Sequence, residues 1–137
     1  MKALPALFAL GLLTAGCASG PTGDPFAEVF GGVPADRAAA IASRIADEPF
    51  GSAENPVRVN MPVGERAYLA RLRCANGQAP AFERIGSFGL GPYGQVLDGY
   101  QVDCAGSTPA SSVIYLDMYH PTHIETNAPA GFTIVAP

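Results

Sequence analysis

The sequence predicts an α+β fold, with one or two short N-terminal helices packed on a small antiparallel β-sheet that a disulfide closes. Helix-like spacing of apolar residues is confined to the first third of the chain, and alternating strand-like runs follow it. The 16 glycines and 13 prolines favour turns and short strands over long helices. Two cysteines, Cys74 and Cys104, lie at the ends of two of those runs.

The predicted helices come first. Asp24-Pro25 is typical of a helix start, so a short helix is expected to run from there to Phe30 and end at Gly31-Gly32. A second helix is predicted from Pro34 to Asp47, because apolar residues recur on one face, namely Ala38, Ile41, Ala42 and Ile45. Pro49 ends it, since the residue before a proline resists the helical conformation.

Alternating residues predict the strands. Val57–Met61 is the first, and Pro62-Val63-Gly64 is expected to turn the chain. Residues 65–74 contain good helix formers but also alternate; we predict a strand because Ala75-Asn76-Gly77 is a strong hairpin turn. Further strands are expected over Ala81–Phe88, Val96–Cys104, Ser112–Tyr119 and Phe132–Val135.

The first seventeen residues have the features of an export signal. Lys2 supplies a positive charge, residues 3–13 are mainly apolar, and Leu13-Thr14-Ala15-Gly16-Cys17 follows. This segment resembles the lipobox of bacterial lipoproteins, a resemblance that covers residues 1–17 only. It implies cleavage before Cys17 and acylation of that cysteine, and Ala18 after it implies sorting to the outer membrane.

The resemblance divides the chain into a signal peptide (residues 1–16), a lipid-anchored tether (17–33) and one small domain (34–137). The domain would face the periplasm of a cell envelope and contact the membrane through its lipid. Removal of Lys2 leaves seven arginines against twelve acidic residues. This negative balance disfavours nucleic-acid binding.

Setting Cys17 aside leaves an even pair of cysteines in an oxidising compartment, so we predict a disulfide between Cys74 and Cys104. It would close a loop of about thirty residues, which the chain-entropy relation values at roughly 3.5–4 kcal/mol. A metal-binding pair or a reactive thiol is the alternative, but there is no C-x-x-C spacing.

The stretch Gly89–Gly94 matches G-x-G-x-x-G, the dinucleotide-binding motif. Pro92 interrupts it and a strand-like run follows, whereas the motif must open a helix. We therefore expect no cofactor. The stretch is interpreted as a kinked loop, or as a contact loop in which Phe88 and Tyr93 meet a ligand or partner.

Asp117, His120 and His123 form the nearest approach to a metal set, against the alternative of ordinary hydrogen-bonded histidines. Five arginines lie close together in sequence and could form an anion pocket or ordinary ion pairs: Arg58, Arg66, Arg71, Arg73 and Arg84. The candidate binding residues are Arg84, Tyr93, Tyr119 and His120. No catalytic residue is assigned.

These features favour a non-enzymatic module that binds an envelope protein or a small ligand through the glycine-rich loop, Ser87–Gly94, and residues 119–123. The alternative is a small metal-dependent or hydrolytic periplasmic enzyme using Asp117, His120 and His123. A paired-carboxylate hydrolase stays open, because the spacing of acids in sequence says little about their distance in space. A purely structural role in the envelope is not separable from the binding role by sequence.

Acylation of Cys17 is directly testable. Intact-mass measurement of the protein extracted from its native membrane should show a chain that begins at Cys17 and carries fatty acyl groups. The Cys17→Ser variant should keep its first sixteen residues and carry no acyl chain. A native product that still begins at Met1 without lipid contradicts the lipoprotein interpretation.

Overall fold

The computed structural model of the protein describes residues 31–137. The predicted signal peptide, Cys17 and the first predicted helix lie outside the described residues. Within them the chain forms two helices and six strands: α1 (Ala35–Arg44), β1 (Val57–Arg58), α2 (Met61–Arg71), β2 (Leu72–Cys74), β3 (Ala81–Leu90), β4 (Val96–Asp103), β5 (Ser111–Asp117) and β6 (Phe132–Ile134).

Four strands form one sheet in the order β1-β5-β4-β3, and β2 and β6 form a separate two-stranded sheet. Neighbours β3, β4 and β5 are antiparallel, whereas β1 runs parallel to β5, with Val57 opposite Leu116 and Arg58 opposite Asp117. The predicted α+β class and its disulfide are confirmed. The four-stranded sheet is mixed, because its β1–β5 pair is parallel.

The main core lies between α2 and one face of the four-stranded sheet. Tyr68, Leu69 and Leu72 are almost fully enclosed and meet the inward side chains of β1, β4 and β5. Burying a large aliphatic side chain contributes roughly 1.5–3 kcal/mol. The core residues are Val57, Val59, Tyr68, Leu69, Leu72, Cys74, Tyr100, Val102, Cys104, Ile114, Leu116 and Phe132.

The strand prediction for residues 65–74 is wrong over most of its length. Helix α2 covers residues 61–71, so the predicted turn at Pro62-Val63-Gly64 is helical too. Pro62 fits because it stands in the first turn, where a missing N–H costs nothing. Glu65, Tyr68, Leu69 and Leu72 are all buried at the i, i+3, i+4, i+7 spacing of a helix. The packing of that stripe against the sheet therefore favours a helix over a strand in this segment.

The turn after Cys74 forms, but it does not make a hairpin. Gly77 has a positive φ of 81° and donates its N–H to the Cys74 carbonyl at 2.8 Å. The preceding strand β2 pairs with β6 at the end of the chain, with Leu72 opposite Ile134. The turn residues were therefore identified correctly and the partner strand was not.

The other predicted elements are present with shifted bounds. Helix α1 is shorter than the predicted helix 34–47, and β1 keeps two residues of the five expected. Strand β3 continues to Leu90, so part of the expected glycine-rich loop is strand. The rest is a tight turn into β4, in which Gly91 donates its N–H to the Gln95 carbonyl at 2.8 Å.

The disulfide between Cys74 and Cys104 connects the two sheets. Its Cα atoms lie 5.7 Å apart, and both cysteines are buried in the main core. One sulfur belongs to the end of β2 and the other follows β4. The bond therefore holds the small β2–β6 sheet against the larger one.

Breaking this bond should lower the free energy of unfolding by about 3–4 kcal/mol, because the unfolded chain regains the freedom that the 30-residue separation had restricted. Urea unfolding with and without reductant measures the change. The double variant Cys74→Ala, Cys104→Ala should be destabilised at least as much and should not respond to reductant. Equal unfolding curves for wild type with and without reductant contradict this expectation.

Candidate functional site

Arg58 stands at the centre of the candidate site. Its side chain is half-buried at the edge strand β1, on the sheet face opposite the main core. It lines three cavities of about 430, 390 and 320 Å³. Among the described residues the ion pairs join other side chains, and no carboxylate lies within ion-pairing distance of Arg58.

The three cavities differ in their lining. The Tyr68 cavity (430 Å³) lies beside α2 and is lined by Tyr68, Arg71 and Ile124. The Asn127 cavity (390 Å³) includes Asn55 and Asn127. The α1 cavity (320 Å³) lies between α1 and the segment 120–123. Volumes of this size are in the range of small-molecule sites.

Asp117 and His120 form a buried pair beside the α1 cavity. Asp117 is the last residue of β5, and His120 follows it after a short turn. The His120 Nε2 atom lies 3.3 Å from the Asp117 Oδ1 atom, and both side chains are almost completely enclosed. Within the described residues, Asp117 Oδ2 and His120 Nε2 have no hydrogen-bond partner, although Asp117 Oδ1 accepts the Tyr119 N–H.

A second histidine, His123, pairs with Glu125. Its Nε2 atom lies 3.0 Å from the Glu125 Oε2 atom. Burial raises the pKa of Glu125, but hydrogen bonds from His123 and from the Thr126 and Asn127 amides outweigh burial and lower it overall. Glu125 is thereby held as a carboxylate that orients His123. His120 and His123 both line the α1 cavity.

Tyr93 and Tyr119 are both packed against the α1 region. Tyr93 is 2% exposed, and its ring meets His120 edge-on with centroids 4.7 Å apart. It joins Val33, Ala38 and Ile41 of the α1 region in a small second core, against which Tyr119 also packs. Tyr93 is therefore enclosed, and burial raises its pKa. It also lines the Asn127 cavity, so its role as a binding residue stays a prediction.

Arg84 does not belong to this site. It lies on the sheet face that carries Tyr100, and its guanidinium donates to both carboxylate oxygens of Asp98 at 2.7 Å. Behind Asp98, the fully buried Glu65 accepts the Tyr100 hydroxyl at 2.9 Å. Burial raises the pKa of Glu65, and the hydrogen bond from Arg84 lowers the pKa of Asp98. This cluster joins α2 to the sheet.

The predicted arginine pocket is not assembled. Arg71 donates to the carbonyls of Val135 and Glu125, and Arg73 donates to two carbonyls close to it in sequence. Arg58 and Arg71 share the lining of the Tyr68 cavity. The sequence patterns did not identify Glu65 or Glu125 as buried, nor Arg58 as the residue shared by three cavities. For Glu65 a signal existed, because it occupies a position of the apolar stripe of α2.

The predicted metal set is not assembled either, because His123 bonds to Glu125 and only Asp117 and His120 come together. In the described part of the chain no group of three or more His, Cys, Asp or Glu residues is placed to hold a metal ion. The stretch 89–94 leads into strand β4 and not into a helix, unlike the dinucleotide motif.

No protein-family model, no characterised protein and no solved structure matches this chain. Across residues 31–137, no helix combines the length and apolar character that crossing a membrane requires.

Glu65 and Asp98, the two carboxyl groups near Arg84, should make the stability of the protein depend on pH in opposite directions. Because the pKa of Glu65 is raised on folding, its contribution is present below about pH 4.5 and is lost as the pH rises. The free energy of unfolding of the Glu65→Gln variant, relative to that of the wild type, should therefore increase from about pH 4 to about pH 8.

Asp98→Asn is the matched control, because its effect on stability should change with pH in the opposite direction. The pKa of Asp98 is lowered on folding, so its contribution is present at neutral pH and is lost on acidification. Asp98→Asn should be most destabilising near neutral pH. Urea unfolding across this pH range checks both variants; parallel pH profiles for the two would contradict the assignment.

Proposed function

We propose that the protein is a non-enzymatic binding module of a bacterial cell envelope, anchored by lipid at Cys17 and facing the periplasm. Its binding site is the cleft formed by the three cavities that meet at Arg58. The observation that carries the proposal is Arg58 itself, a half-buried residue that lines all three cavities and has no carboxylate partner within the described residues.

The energetics of Arg58 support binding. A half-buried cation keeps only part of its hydration, so a hydrogen-bonding counterpart stabilises it. Four of the other arginines already have partners or lie in the open: Arg84 has Asp98, Arg71 and Arg73 have carbonyls, and Arg66 is exposed. A ligand group that accepts hydrogen bonds would compensate Arg58 without breaking an existing contact.

The export features support the location. The lipobox-like segment and the disulfide are consistent with one another, because disulfides persist in oxidising compartments outside the cytosol. Two or more acyl chains make membrane attachment effectively stable. The domain would then sample ligands close to the bilayer or the cell wall.

A hydrolytic enzyme is the second candidate, and the buried Asp117–His120 contact is the observation that favours it. A carboxylate that orients an imidazole is the arrangement of a general base. Hydrolysis of chromogenic esters or phosphoesters by the purified protein, lost in His120→Ala, would favour this candidate over binding alone.

Hydrogen exchange tests the binding proposal. The lipidated protein is mixed separately with peptidoglycan sacculi, with phosphatidylglycerol vesicles and with phosphatidylcholine vesicles. We expect at least one of these envelope components to slow exchange in β1, α1 and residues 119–125, because these segments line the cleft. The exposed sheet face at Phe88 should exchange as before.

Two arginine variants make the comparison specific. Arg58→Gln should abolish the protection, whereas Arg44→Gln, at the exposed end of α1, removes the same charge outside the cleft and should keep it. Protection by none of the components, or protection that survives Arg58→Gln, would rule out the Arg58 cleft as the binding site.

A further inference from the structure

The charges around the α1 cavity are unevenly placed. Every titratable side chain among the described residues that line it is basic: Arg58, His120 and His123. Thr122 adds a hydroxyl, and the rest of the lining is apolar. The nearest acids, Asp117 and Glu125, do not line this cavity; each stands beside one of the histidines. Within residues 31–137 the lining of the cavity therefore presents cationic and hydrogen-bonding groups and no carboxylate.

The first turn of α1 adds to this polarity. Ala35 opens the ten-residue helix and lines the cavity, and Pro34 before it gives no side-chain cap to the helix amides. Helix N-termini carry a partial positive charge. His120 supplies an independent observation, because its side chain lines the cavity and is 98% enclosed. Its Nε2 atom lies 3.3 Å from Asp117 Oδ1 and makes no hydrogen bond within the described range.

We infer that the α1 cavity binds an oxyanion, such as a phosphate, sulfate or carboxylate group, through Arg58, His120, His123 and Thr122. The inference rests on the proposed function and names the chemistry of its ligand. A metal cation fits less well, because the guanidinium of Arg58 lines the same space and repels it. Arginine and oxyanions match in charge and in hydrogen-bond geometry.

The two imidazoles give the cavity polar edges beside Arg58. Each ring has a carboxylate beside its Nε2 atom, Asp117 at 3.3 Å from His120 and Glu125 at 3.0 Å from His123. These carboxylates border the rings and are not part of the cavity lining. The charged and titratable groups that face the two rings are Asp117, Glu125, Arg58, Tyr93, Arg71 and Tyr68.

Sulfate is the appropriate probe, because it is an oxyanion whose charge does not change near neutral pH. Calorimetric titration of the lipidated protein with sodium sulfate, against sodium chloride of equal ionic strength, should show saturable binding at about pH 7. Amide resonances of residues 35–39 and 120–123 should shift together. Saturable binding with these shifts supports the inference.

Variants separate the site from general charge effects. Arg58→Gln should weaken sulfate binding by about tenfold or more, and Arg58→Lys, which keeps the charge, by less. Arg44→Gln should bind as wild type does. His123→Gln should also weaken sulfate binding, by less than Arg58→Gln. Thermal unfolding of each variant confirms that it is folded. Absence of saturable sulfate binding, or equal losses in Arg58→Gln and Arg44→Gln, overturns the inference, and so does stoichiometric Zn²⁺ binding at His120 and His123.

Phosphatidylglycerol vesicles distinguish the source of the oxyanion. If they displace sulfate and phosphatidylcholine vesicles do not, a lipid headgroup is the ligand; if neither does, a soluble anion is. If sulfate binds but no envelope component protects the cleft, the oxyanion site is supported and the proposed function is contradicted. If an envelope component protects the cleft but sulfate does not bind, the proposed function is supported and the oxyanion site is contradicted.

Discussion

The parallel pairing of β1 with β5 is the constraint on which the candidate site depends. It places Arg58 beside Asp117 and holds the chain after β5 through hydrogen bonds from Val59 to Asp117 and from His120 to Val59. The Tyr119 carbonyl then accepts the Val33 N–H at 2.7 Å, which fixes the start of α1. One short backbone ladder thereby positions the guanidinium, the imidazole and the helix that enclose the cleft.

Two groups of charged side chains serve different purposes in this small domain. On one sheet face, Arg84, Asp98 and Glu65 are connected to one another and to Tyr100, whose pKa burial and Glu65 raise to about 12. That group links α2 to the sheet through the Glu65–Tyr100 hydrogen bond. On the opposite face the carboxylates are paired with histidines, and Arg58 is left facing open space. In a structural network every charged group has an opposite partner, whereas a binding site keeps a charged group available for its ligand.

Local sequence patterns predicted the elements that have one apolar and one polar face. The Pro34 start and alanine-rich stripe indicated α1, and alternation indicated β3, β4, β5 and β6. They failed at residues 61–71, where helix and strand patterns overlapped. The choice depended on whether Tyr68 and Leu69 meet the sheet from one helix face, which is a tertiary contact. The fold class survived this error because both outcomes are compatible with α+β.

By itself the sequence determined the fold class and the partnership of Cys74 with Cys104, since residue spacing and an even cysteine count need no coordinates. Its lipobox-like segment also predicts where the protein resides. Only the tertiary structure decided that His120 joins Asp117 while His123 joins Glu125, and that Tyr93 is enclosed. These facts depend on how a parallel strand pair and a helix meet, and distances between such elements are set by packing and not by the order of residues.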